Sequence, residues 1–138
     1  MEKIIKIMFF LVIIPVVVNA QGLNSNAALI KKYYSDDYES TLKKYALAEW
    51  GQDYAMVVYE INRQADALTQ LIDEFESENT NIIYTAIQEW SRKGYKNSNI
   101  KLFKKMDKIS LNAMLKLYCD WAMVKYEYDR QVEAKNSF

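Results

Sequence analysis

Along most of the chain, apolar residues return every third or fourth position, the period of a helix with one buried face. The first such run predicts a helix over 37–76, with Leu47, Trp50, Tyr54, Val57, Ile61, Ala65, Leu68, Ile72 and Phe75 on its buried stripe. A polar break from Ser77 to Thr80 separates it from a shorter helix carrying Ile82, Ile83, Ala86, Ile87 and Trp90. A third run (Phe103, Met106, Ser110, Ala113, Leu117, Trp121, Val124, Tyr128 and Val132) predicts a helix over 99–135, with Ser110 its weakest point.

End signals agree with this division. Asp36 followed by Glu39 outlines a capping box for the first helix. Arg92 and Lys93 suit the carbonyl end of the second, where Gly94 and Tyr95 fit a Schellman cap, and Asn97-Ser98 offers a start for the third. Residues 21–36 read as a flexible lead-in with a short helix from Ala27 to Tyr34. The fold class is all-α: a small antiparallel bundle of three amphipathic helices, or four if a long one is broken. Length favours a break, since at 1.5 Å per residue the first helix spans ~60 Å, the second ~22 Å and the third ~54 Å. Gly51 and the stretch from Asp107 to Ser110 are the candidate break points, and a second subunit covering the overhang is the alternative.

The first twenty residues do not share the pattern. Lys3 and Lys6 precede an apolar run from Ile7 to Val18, and Val18-Asn19-Ala20 places small residues where a leader is cut. The run is shorter than the ~20 residues a membrane span needs, and Pro15 interrupts it. We therefore expect a cleaved signal peptide over 1–20, a single domain over 21–138, and no stable membrane anchor after cleavage. The expected location is a bacterial periplasm or the extracellular space.

Composition acts by exclusion. The 138 residues hold 18 basic and 18 acidic groups, no histidine and one cysteine, Cys119. Without histidine the usual general base, the commonest metal ligand and every Ser-His-Asp or Cys-His arrangement are gone, and one thiol makes neither an internal disulfide nor a zinc site. No catalytic residue, metal or cofactor is expected, and a balanced charge gives no reason to expect nucleic acid. The only proline lies in the leader, so the rest of the chain lacks the strongest helix breaker. Eleven tyrosines and three tryptophans suit a bundle core and its rim, or an interaction surface.

One internal similarity stands out. DYAMVVYEINRQADA from Asp53 to Ala67 and DWAMVKYEYDRQVEA from Asp120 to Ala134 are identical at nine of fifteen positions. Asp53, Tyr59, Glu60, Arg63 and Gln64 recur as Asp120, Tyr126, Glu127, Arg130 and Gln131, and these ten are the candidate binding residues. Aspartate, glutamate and glutamine fall on one side of each helix, with the arginine three residues after the glutamate. Three readings follow: a solvated edge, a packing layer in which the copies face each other, or a site for a partner. The expected function is a non-enzymatic protein-interaction module, its partner another exported or envelope protein or a second copy in a homodimer. The alternative is a carrier that encloses a small apolar ligand or lipid among its helices.

Overall fold

The structure, a computed structural model, describes residues 22–75, 77–91 and 110–138. The leader, the end signals at 92–95 and 97–98, and the stripe positions Phe103 and Met106 lie outside the described residues. Within them the chain is predominantly helical. It forms α1 (Ser25–Tyr33), α2 (Ser35–Asp37), a π-helical turn (Tyr38–Lys43), α3 (Lys44–Trp50), α4 (Tyr54–Glu74), a 3₁₀ turn (Ser77–Asn79), α5 (Thr80–Glu89), α6 (Leu111–Met114) and α7 (Trp121–Asn136). Only an isolated bridge between Ser91 and Cys119 pairs extended backbone among the described residues.

The lead-in is anchored to the core. Asn24 caps α1 by accepting from the Ala27 N–H at 2.9 Å, and the same side chain donates to Asp66 Oδ1 of α4 at 3.0 Å. Asn26 donates to the same oxygen at 2.9 Å. These bonds seat Ala27 and Ile30 in the core. A helix with so few apolar positions is held by its cap and polar hooks as much as by its buried face.

The expected helix over 37–76 is broken where glycine permits it. Gly51 ends α3 at φ 57°, a left-handed conformation that residues with a side chain rarely adopt. The break also corrects the predicted stripe. Tyr54 is 67 % exposed, Trp50 38 % and Leu47 37 %, whereas Tyr38, Leu42, Tyr45 and Ala46 are buried instead. A stripe extrapolated backwards from α4 loses its phase at Gly51, because α3 folds back with another face inward. The capping box is not formed either. The helix already begins at Ser35, its cap Tyr34 offers no side-chain bond, and Asp36 and Asp37 lie inside the first turn, where their charge complements the helix dipole. Thr41 Oγ1 donates to the Asp37 carbonyl at 2.6 Å within the π-helical turn, a side-chain bond back to the preceding turn of the kind that bends a helix.

α4 and α5 follow the pattern closely. Val57, Ile61, Ala65 and Leu68 of α4 and Ile83, Ala86 and Ile87 of α5 are buried, with Ile72, Phe75, Ile82 and Trp90 packed at the edge. The expected helix over 99–135 is broken at two places within the described residues. Ser110 is the N-cap of α6, accepting from the Ala113 N–H at 3.3 Å. The second break, over 115–120, had no glycine or proline to announce it. That connection is apolar and buried, with Leu115, Leu117 and Cys119 inside. Its backbone is satisfied by Leu117 N donating to the Met114 carbonyl and Asp120 N to the Trp90 carbonyl.

Contacts along the helices set their directions. Gln64 meets Asp120 near the middle of α4, while Lys125 and Tyr128 of α7 meet Glu74 at its end, so α4 and α7 run the same way. α5 runs back between them, from Asn79 beside Tyr128 and Lys135 to Ser91 beside Cys119. The core where these helices meet is filled by Trp121, Leu68, Leu71, Ile83, Ile87 and Val124.

Candidate functional site

The two similar segments begin at the same local structure. Asp53 and Asp120 are the N-caps of α4 and α7. Their backbones are nearly superimposable, at φ −80°, ψ 81° and φ −84°, ψ 92°. Each carboxylate accepts from the backbone N–H of the methionine three residues on, at 3.2 Å for Met56 and 3.3 Å for Met123. Aspartate is favoured there because its oxygen satisfies an N–H that the first turn leaves without a partner. The next turns repeat as well. In the first copy Arg63 Nη2 donates to Glu60 Oε2 at 3.0 Å and Gln64 Nε2 donates to the same oxygen at 2.8 Å. In the second, Arg130 Nη2 and Gln131 Nε2 donate to Glu127 Oε2 at 2.7 and 2.8 Å. Each helix therefore carries a glutamate held by donors three and four residues later, a fork with the glutamine at its tip.

What the forks do is different. Glu60 is 3 % exposed and Gln64 1 %. The Gln64 amide spans the gap to α7: its Nε2 donates to Asp120 Oδ1 at 2.8 Å, and its Oε1 accepts the Trp121 N–H at 2.5 Å. The first fork thus grips the N-terminus of the second copy's helix, using both ends of one side-chain amide. Arg63 lies 3.9 Å from the Asp120 carboxylate and balances two buried acids with one cation. Burial works against its charge, yet the hydrogen bond to Glu60 and the nearby Glu60 and Asp120 carboxylates outweigh that and hold the guanidinium pKa above its ordinary value. Trp121, next to the gripped cap, is 1 % exposed.

The second fork holds nothing within the described residues. Gln131 is exposed, and the described structure gives it one hydrogen bond, to Glu127. That amide and the Arg130 guanidinium hold the Glu127 carboxyl below the usual carboxylate range. Beside the fork, Ile82 and Ala86 of α5 floor an open groove of about 310 Å³, rimmed by Asn81, Thr85, Glu127 and Gln131. Tyr126, 60 % exposed, follows Tyr59 at 57 %.

The structure therefore separates the ten candidates. Glu60, Arg63, Gln64 and Asp120 come together in one buried cluster, with Asp53, Tyr59, Tyr126, Arg130 and Gln131 at the surface and Glu127 at a groove edge. The copies do not face each other as equals, since fork meets cap and not fork. Trp121 and the Trp90 carbonyl, which complete the cluster, were missed as members; the Asp-aromatic pair opening each copy was the signal for the first.

Two other spaces bear on the site. The enclosed space beside Gln64, Tyr45 and Trp121 leaves no room for a water molecule. An open cleft of about 500 Å³ between the end of α4 and α7 is lined by Glu74, Glu78, Asp129 and Glu133 among others, with Lys125 paired to Glu74 and Asp129 at its edge. No grouping of metal-ligating side chains occurs among the described residues, and none of their helices is long and apolar enough to cross a membrane. Neither a family model, nor a curated protein, nor a solved structure matches the chain.

Proposed function

We propose that this chain is an exported, non-enzymatic antiparallel helical bundle, released from its leader after Ala20, that binds another protein through the face of α5 and α7 bearing Glu127, Arg130 and Gln131. One observation carries the reading. A fork of the same three residue types already holds a helix terminus inside the molecule, and its twin is displayed beside an apolar-floored groove with its amide oxygen unused among the described residues. The ligand chemistry follows from the gripped example: a helix N-terminus opening with a capping aspartate and an aromatic residue. Fixed polar groups beside an apolar floor suit recognition of such a helix end. The carrier reading finds less support, because the enclosed space beside Trp121 is filled and the larger spaces are open to solvent.

The test is a titration of the purified chain with a labelled, helix-stapled peptide opening Asp-Tyr-Ala-Met, followed by fluorescence anisotropy. Saturable binding is expected, weakened about tenfold by Gln131→Ala and by replacing the leading aspartate of the peptide with alanine, since each removes a charge-assisted hydrogen bond. Absence of binding, or binding indifferent to both changes, overturns the reading.

A further inference from the structure

We propose that the occupant of the second fork is a second copy of this chain, docked head to tail through the N-terminus of its α4. This rests on the binding-module reading and names its partner. The argument is an inventory of forks and caps. Each molecule contains two forks, Glu60-Arg63-Gln64 and Glu127-Arg130-Gln131, and two matching caps, Asp53-Tyr54 and Asp120-Trp121. Inside the molecule one fork takes one cap, through Gln64, Asp120 and Trp121. That leaves the Gln131 fork and the Asp53 cap, both at the surface.

The leftover cap already has the shape of the one that is gripped. Asp53 and Asp120 share their backbone conformation and their bond to the methionine N–H, so docking requires no rearrangement of the turn. Asp53 is exposed, and within the described structure its carboxylate bonds only its own helix. Tyr54, two-thirds exposed, occupies the place of Trp121. Its N–H is turned onto the Gln52 carbonyl, two residues back, a bent contact that a glutamine amide oxygen improves on. In the docked arrangement Gln131 Nε2 donates to the Asp53 carboxylate, and Gln131 Oε1 accepts the Tyr54 N–H. The Tyr54 ring lies over Ile82 and Ala86, and Arg130 supplies the charge that Arg63 supplies inside the molecule.

The geometry also says what kind of assembly results. The contact joins unlike surfaces, so it leaves one free fork and one free cap after every addition and builds a chain, or a ring if the rotation closes. Within the molecule α7 begins beside Gln64, eleven residues along α4, an advance of about 16 Å. The intermolecular contact repeats that step at Gln131, so the next molecule's α4 starts near the end of α7. A contact of one cap and one groove is small, so assembly is expected at high protein concentration, in the range of weak interfaces.

Sedimentation velocity on the purified chain tests this, run from micromolar to near-millimolar protein with the N-terminus fixed by mass spectrometry. Species heavier than the monomer should grow with concentration. Gln131→Ala removes the fork and keeps the cap; Asp53→Ala removes the cap and keeps the fork; each alone should weaken association roughly tenfold or more. Mixed in equal amounts the two variants should recover a 1:1 complex and nothing larger, because one intact fork and one intact cap remain between them. Tyr54→Ala, which leaves the capping aspartate in place, serves as a second cap variant, and circular dichroism checks that each variant is folded. A chain that stays monomeric, association unaffected by the variants, or a mixture that fails to recover a complex overturns the proposal. Where the chain stays monomeric but the stapled peptide still binds, self-assembly falls and the binding-module reading stands; where the peptide also fails to bind, both fall.

Discussion

Gln64 and Gln131 follow the same residues in sequence and make the same bond to the glutamate four positions earlier, so any difference between them comes from what lies beyond their own helix. Gln64→Ala takes one donor from each of the buried Glu60 and Asp120 carboxylates and removes the acceptor of the Trp121 N–H, and is expected to lower unfolding free energy by about 3 kcal/mol. Gln131→Ala removes a solvated bond and should change it by less than about 0.5 kcal/mol. Urea denaturation of the two variants checks the contrast, and equal effects would contradict the buried grip. A second expectation at this scale concerns alkaline pH. Burial, followed by the charge of Glu39, pushes the Tyr38 phenol above its ordinary value near 10, and burial does the same to Tyr84. The unfolded chain releases those protons first, so their contribution is intact below the ordinary value and is lost as pH rises through the raised one. Stability should therefore fall as the solution is taken above about pH 10, and less steeply in Tyr38→Phe; equal slopes would count against the burial of Tyr38.

Helix ends decide most of what happens at the scale of elements. Gly51 sits at φ 57° and ψ −116°, and a Cβ there would meet nothing within 4 Å. The cost of Gly51→Ala is accordingly backbone strain alone, about 1–3 kcal/mol, to be read from thermal or urea unfolding, with Gly22→Ala as the open-space control. A neutral Gly51→Ala would mean that α3 and α4 join in some other way. The amphipathic runs made α4 and α5 legible, and Gly51 was legible as the break because only glycine tolerates that conformation. The connection over 115–120 was not legible. Leu115, Leu117 and Cys119 satisfy a helical and a non-helical reading alike, and the backbone leaves the helix because the Trp90 carbonyl and the Gln64 amide receive the Asp120 and Trp121 N–H groups. The Asp36 box failed for the opposite reason: a local signal was present, but the helix had started at Ser35.

At the scale of the whole molecule, the excess length of the two long predicted helices is removed by folding them into segments, α3 and α4 on one side and α6 and α7 on the other. α7 is thereby displaced along α4 by the distance between a cap and a fork, and that displacement leaves one fork and one cap on the surface. The proposed export is tested at this scale as well. Mass spectrometry of the protein recovered from the producing cell is expected to find Gln21 at its N-terminus, cyclised or free, and an intact Met1 would refute cleavage.

By itself the sequence determined the local half of this structure. Period marked the buried faces of α4 and α5, and Glu-x-x-Arg-Gln placed the polar residues of the two forks, because each depends on neighbours within about four residues; the capping roles of Asp53 and Asp120 emerged only with the breaks before α4 and α7. The tertiary structure alone decided which fork is buried. The segments from Asp53 and from Asp120 agree in the residues that form cap and fork, and nothing within either distinguishes a structural bond from an exposed one. The distinction arises from what lies beyond each helix: Gln64 of the first copy meets the N-terminus of α7, whereas Gln131 of the second bonds only Glu127 of its own helix among the described residues.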